Sequence, residues 1–243
     1  MKASASDPIK LALVGDSTVC DYSEDSPLRG WGQVLPEFLA SSVVVSNCAR
    51  GGASTRTFLA NGWQHALGGK PDYVFIQFGH NDSHGKGQPE STDADTGYTD
   101  NLRCMVRAAR RSGAVPVLVT PMHRRCFDAE GRATRELLPY TVAMKRVAAA
   151  EKVPLIDLHT LSGCLIEKMG ESGASALHVA GDRTHFNREG AGIMARLVAG
   201  SGRKMPELKV LFAGAPLKHK SKTERGVPCV KAACGGKKGC DHD

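Results

Sequence analysis

Short apolar runs alternate along this chain with stretches of helical spacing. Lys10–Val14, Val43–Ser46, Tyr73–Phe78, Val115–Thr120 and Val153–Ile156 are rich in Val, Ile and Leu and show little polar alternation, the pattern of strands covered on both faces. Between Thr99 and Ser112, Leu102, Met105, Val106 and Ala109 recur at i, i+3, i+4 and i+7. Tyr140, Ala143, Met144, Val147 and Ala148 repeat that spacing, as do Ala191, Met194, Ala195 and Val198, so each group marks one face of a helix. Strands separated by helices predict right-handed crossovers and a parallel sheet between two helical layers. Ser83–Gly97, rich in Gly, Pro, Ser, Thr and Asp, reads as a long surface loop, and such a loop in a compact domain is often functional. The helical pattern stops near Gly200. The expected organisation is a short extension (1–8), one domain (9–202) and a C-terminal tail (203–243).

Composition narrows the function classes. With 41% hydrophobic and 23% charged residues among 243, the chain is neither disordered nor too small for a sizeable core. Unbroken apolar stretches such as Leu11–Val14 and Tyr73–Ile76 fall far short of the roughly 20 residues that cross a membrane. Met1–Lys10 lacks the apolar middle of a secretory signal, and the compartment stays open. The net charge is +7, but Pro216–Asp243 carries seven Lys/Arg against three acids. A basic excess held in a Gly/Lys-rich end of an aromatic-poor chain argues against a nucleic-acid binder. Of the eight cysteines, five are scattered through the body; Cys229, Cys234 and Cys240 crowd the tail. Their spacing lacks the close pair of a zinc knuckle, so neither a metal nor another cofactor is expected.

In an open parallel sheet, ligands bind beyond the carboxyl ends of the strands, so the residues following each strand are the candidates for chemistry. Gly15-Asp16-Ser17-Thr18 follows the first strand. Asn47 to Ser54, with Gly51-Gly52, follows the second, and Gly79-His80-Asn81-Asp82 the third; Asp182-Arg183-Thr184-His185-Phe186-Asn187 precedes the last helix. These types answer the needs of acyl transfer. A serine hydroxyl attacks only when a base takes its proton, and His185 is that base. Asp182, three residues earlier, holds the imidazole in one tautomer. The oxygen of an attacked carbonyl needs preorganised donors: the backbone N–H groups of Ser17 and Gly52 and the Asn81 amide. Losing one such donor typically costs about 2.7–4 kcal/mol. A neutral His185 is required, so activity is expected to rise with pH through the imidazole titration.

Those four blocks, in that order, resemble the SGNH (GDSL-type) hydrolases. Arg29-Gly30-Trp31-Gly32, Gly52-Ala53-Ser54-Thr55-Arg56, Val119-Thr120-Pro121 with Arg124-Arg125 beyond, and His185-Phe186-Asn187 before Gly190-Ala191 resemble its rhamnogalacturonan acetylesterase-like branch. The resemblance covers about Ile9 to Val198. It implies a flavodoxin-like three-layer α/β/α domain with a five-stranded parallel sheet. It also implies a metal-independent serine esterase that forms an acyl-enzyme. In it Ser17, Asp182 and His185 are catalytic, and Ser17, Gly52 and Asn81 form the oxyanion hole. Thr18 stands where the family nickname has Leu, as is common in this branch. The Lys/Cys tail after Gly202 has no counterpart.

Blander roles stand beside these. Ser17 alone would serve as a helix cap, and Asp16 supports its loop through backbone hydrogen bonds. Asn81-Asp82-Ser83 matches a glycosylation sequon, which the oxyanion role opposes. Asp157 and His159 read as structural. His80 either lines the acyl pocket or orients its loop. Arg56, His123, Arg124 and Arg125 are candidates for binding hydroxyls or uronate carboxylates of a sugar polymer, against a plain solvated surface. Trp31 and Trp63 either stack on sugars or belong to the core. The missing second glycine of Gly-x-Ser-x-Gly argues against an ordinary α/β-hydrolase. The expected function is removal of O-acetyl groups from carbohydrate such as pectic rhamnogalacturonan or xylan. The alternatives are a lipase, thioesterase or lysophospholipase of the same fold, a non-catalytic carbohydrate-binding relative, and an interaction protein driven by its tail. Neither the sugar nor the oligomeric state is written in the sequence.

Overall fold

Every apolar run read as a strand forms one. β1 (Ile9–Gly15), β2 (Val43–Asn47), β3 (Tyr73–Gln77), β4 (Val115–Val119) and β5 (Leu155–Ile156) make one parallel sheet ordered β2-β1-β3-β4-β5. They do so in a computed structural model that describes residues 7–215. Leu11 lies between Val45 and Tyr73, and Leu13 between Asn47 and Phe75. Successive side chains of a strand point to opposite faces, so the sheet carries two cores. Leu11, Leu13, Phe75, Val117, Val119 and Ile156 pack against α1 (Trp31–Val34), α6 (Leu158–Ser175) and α7 (Arg188–Gly202). Ala12, Val14, Val74, Ile76 and Leu118 pack on the other face. There they meet α2 (Thr55–Asn61), α3 (Trp63–Gly68), α4 (Thr99–Arg111) and α5 (Leu138–Glu151). This is the three-layer α/β/α arrangement with five parallel strands.

The structure corrects three sequence expectations. β2 is an edge strand whose burial alternates, and Val44 is 54% exposed; its unbroken valines say nothing about position in the sheet. Residues 206–212 form a 3₁₀ helix that buries Leu208, Leu211 and Phe212 in the α1/α7 core, so the packed unit runs past residue 202. That turn is too short to show a helical period. Part of the 83–97 segment is also internal: Thr92 is buried, and Ala94–Tyr98 winds as a π-helical turn into α4. The tail cysteines lie outside the described residues.

The strand order places the chain reversal between β1 and β3, the switch point where such sheets bind ligands. Gly30 is needed to assemble this end. A Cβ on Gly30 would lie 2.2 Å from the Cys20 carbonyl oxygen. The bare backbone lets Trp31 N–H donate to the Thr18 carbonyl at 2.9 Å, which binds the start of α1 to the loop after β1.

Candidate active site

β1 ends at Gly15, and the Asp16 carbonyl accepts the N–H groups of Val19 and Cys20, each at 3.1 Å. The resulting turn presents Ser17 at the sheet's carboxyl edge. The Tyr22 hydroxyl donates to the Ser17 carbonyl at 2.8 Å. Asp16, fully buried, accepts from the Thr18 N–H and hydroxyl at 2.9 and 2.6 Å, and its other oxygen lies 3.3 Å from His80 Nδ1. Burial pushes the Asp16 carboxyl up, but His80 and the Thr18 hydrogen bonds more than offset it and hold it below its ordinary value. The line continues inward. Gln77 Nε2 donates to the Thr18 hydroxyl at 2.8 Å, and Trp31 Nε1 donates to Gln77 Oε1 at 2.7 Å. Trp31, Gln77, Thr18, Asp16 and His80 are all buried.

The loop before α7 brings the candidate base. His185 Nε2 lies 2.8 Å from Ser17 Oγ, and His185 Nδ1 lies 2.7 Å from Asp182 Oδ2. Asp182 can only accept, so Nδ1 carries the proton and Nε2 is left free to accept from serine. The other Asp182 oxygen accepts the N–H groups of Thr184 and His185 at 2.7 and 2.9 Å. Burial raises the Asp182 carboxyl, but these backbone bonds and the imidazole outweigh it and bring it down to about 2. Arg125 fastens the loop: its guanidinium donates to the Asp182 carbonyl at 3.1 Å, and its N–H to the Arg183 carbonyl at 2.7 Å.

The remaining donors come from two further loops. Gly52 takes φ +73°, a left-handed turn that glycine enters without strain. Arg50 N–H donates to the Gly15 carbonyl at 3.0 Å and Ala53 N–H to the Arg50 carbonyl at 3.2 Å, pinning this turn to the end of β1. Asn81 Nδ2 donates to the Ala53 carbonyl at 2.9 Å, which uses one of its two N–H bonds and ties the turn to the loop after β3. Neither Ser17 N–H nor Gly52 N–H has a protein acceptor among the described residues.

The candidate substrate contacts fare differently. Arg56 is exposed on the first turn of α2. His80 is buried, with its Nδ1 turned to the Asp16 carboxylate. Arg124 is likewise engaged, donating to the His80 carbonyl at 2.9 Å and pairing with Glu136 at 3.3 Å. His123 stacks on His159 with ring centroids 3.9 Å apart. The two rings line a cleft of about 230 Å³ with Arg135, Leu138, Thr160 and Glu167. Burial lowers both imidazoles, His159 to about 4. Asp157 caps α6 and pairs with Lys145 at 2.6 Å. Trp31 and Trp63 are core residues. Tyr22, Gln77 and Arg125 support the site through contacts that no local motif announces.

Among the described residues, no helix is long and apolar enough to cross a membrane, and no group of three or more His, Cys, Asp or Glu is placed to hold a metal ion. Cys20, Cys48, Cys104 and Cys126 are free thiols.

Comparison with known proteins agrees with this architecture. Residues 13–193 match the profile of the GDSL-like lipase/acylhydrolase family. The chain is 39% identical over 209 residues to the rhamnogalacturonan acetylesterase RhgT of Bacillus subtilis (strain 168), covering 79% of this chain and 88% of that protein. It is 37% identical over 195 residues to the probable rhamnogalacturonan acetylesterase YesY of the same organism, covering 77% and 89%. The crystal structure of the B. subtilis protein YxiM superposes with a TM-score of 0.73 at 31% identity, over 81% of this chain and 56% of that one.

Proposed function

The chain belongs to the GDSL-like lipase/acylhydrolase family, and from that premise we propose that it is a carboxylic ester hydrolase that removes O-acetyl groups from carbohydrate, with rhamnogalacturonan the leading polymer. The carrying observation is the relay from Ser17 Oγ through His185 to Asp182, with contacts of 2.8 and 2.7 Å. The names of the relatives at 37–39% identity supply the substrate class.

In this reading Ser17 Oγ attacks the acetyl carbonyl carbon while His185 Nε2 takes the hydroxyl proton. The carbonyl electrons move to oxygen, which is met by the N–H groups of Ser17 and Gly52 and by the second N–H of Asn81. The tetrahedral species collapses to acetyl-Ser17, and His185 returns the proton to the departing sugar oxygen. Water then repeats the sequence and releases acetate. Asp182 stays anionic throughout and holds the imidazole in place.

Acetate release from acetylated pectin, xylan and chitin oligomers tests the substrate class, and release from none of them would overturn it. Aryl esters of rising acyl length test the acyl site. From acetyl to butyryl, kcat/KM is expected to fall at least about tenfold, since two extra methylenes must be accommodated. A flat or rising series would indicate the lipase-type alternative instead.

The pH dependence follows from the charges. Asp182 is ionised down to about pH 2, so the carboxylate that holds the imidazole keeps its charge throughout the assay range. For an aryl acetate assayed from about pH 5 to 8, kcat/KM is expected to rise with pH, because only a neutral imidazole accepts the serine proton. A rate constant independent of pH across that range, with the chemical step limiting, would contradict His185 as base.

A further inference from the structure

The mechanism leaves two buried carboxylates unused: Asp16, which braces the Ser17 turn, and Asp82. Asp82 is fully buried beside Asn81. Its carboxylate accepts from the Thr55 N–H at 3.2 Å, the Thr55 hydroxyl at 2.5 Å and the Thr92 hydroxyl at 2.6 Å. Its carbonyl accepts the Thr92 N–H at 3.0 Å, and the Tyr140 hydroxyl reaches both the Asp82 and Thr92 carbonyls, at 3.0 and 2.7 Å. Thr55 opens α2 three residues after Gly52, and its hydroxyl also accepts from Asn101 at 3.0 Å. The Gly52 turn therefore hangs between two anchors. Arg50 fixes it to β1 on one side; Ala53 and Thr55 fix it to Asn81 and Asp82 on the other.

Resting on the serine-esterase reading, we propose that Asp82 is the positioning residue of the oxyanion hole, its carboxylate clamping the start of α2 so that the Gly52 N–H and the Asn81 amide face one point. Asn81 orients against the Ala53 carbonyl, and Ala53 is held two residues from the clamp, so both donors depend on the same carboxylate. A donor displaced by a fraction of an ångström loses transition-state stabilisation without losing ground-state binding.

The environment supports an ionised clamp that acid would weaken. Burial pushes the Asp82 carboxyl up to about 6, the two threonines pull against that, and the Asp16 charge adds to the push. Tyr98 and Tyr140 are the other titratable groups near it, and the His80 ring is turned to Asp16. On protonation the carboxyl gains a donor and loses acceptor capacity just where threonine donors converge.

Asp82→Asn tests the proposal, with kcat expressed per active site titrated by a fluorophosphonate. The expected result is a kcat about 10- to 100-fold lower on an aryl acetate with KM within about twofold. In a cycle with Asn81→Ala, the double variant is expected to lose much less than the product of the single losses, because both act on one hole. Thr92→Val, which removes one donor to the carboxylate, is the second variant should Asp82→Asn fold poorly; it is expected to lower kcat several-fold with KM unchanged. A kcat per site within threefold of the parent in both variants would overturn the proposal, as would full multiplicativity in the cycle. Ser17→Ala separates the two readings. If it abolishes hydrolysis while Asp82→Asn does not reduce it, only the positioning role fails; if it leaves hydrolysis intact, the esterase assignment itself fails.

Discussion

Ser17→Ala is expected to lower hydrolysis of an aryl acetate by about 10⁵-fold or more while leaving the melting temperature within a few degrees of the parent. The size follows from what is lost. In the proposed mechanism the hydroxyl is the atom that enters the acyl-enzyme, and without it the imidazole at 2.8 Å has no proton to accept. The unaltered backbone donors retain only the modest catalysis that an oxyanion hole gives by itself. The fold is spared because the loop is held by groups other than the hydroxyl: the Asp16 carbonyl accepts from Val19 and Cys20, and Tyr22 donates to the Ser17 carbonyl. Steady-state assays with a thermal melt on the same preparation decide the matter. A residual rate within tenfold of the parent would place the nucleophile elsewhere.

Asp182→Asn is expected to lower kcat by about 10³- to 10⁴-fold near neutral pH, again in a folded protein. An asparagine oxygen still accepts the Thr184 and His185 N–H groups that shape the loop at 2.7 and 2.9 Å. What changes is the group facing Nδ1. An amide nitrogen there donates, so the ring places its own proton on Nε2 and can no longer accept from serine. Charge stabilisation of the imidazolium is lost as well. Comparing kcat, melting temperature and fluorophosphonate labelling rate with the parent checks this outcome. A loss smaller than tenfold would show that another group orients His185.

Much of this was legible in the sequence because the chemistry is local. Asp182 and His185 stand three residues apart, Ser17 follows a strand directly, and α4, α5 and α7 show long periodic faces. Other elements were hidden for identifiable reasons. α6 contains Gly163, Gly170 and Gly173, with non-helical angles at Gly170, and glycines depress helix propensity. Its packing partners are distant in sequence: a Cβ on Gly163 would come within 2.7 Å of the His123 ring. α1, α2 and α3 are too short to display a period. The role of His80 was unreadable because its neighbour is Asp16, 64 residues away. Asp82 was hidden likewise, since its partner Thr55 is 27 residues distant. Arg124 and Arg125 read either as cations for a sugar polymer or as a solvated surface, yet each reaches a carbonyl of a different loop at this edge.

The seam from Trp31 through Gln77, Thr18 and Asp16 to His80 restricts how this enzyme is able to diverge. Each member meets the hydrogen-bonding need of the next in a place without solvent, so a lone apolar replacement strands its neighbour at a penalty of about 1–3 kcal/mol. Apolar substitution there is tolerable only when several positions change together, which stepwise mutation rarely achieves. Stepwise change is thereby left to positions outside the seam, such as the exposed Arg56.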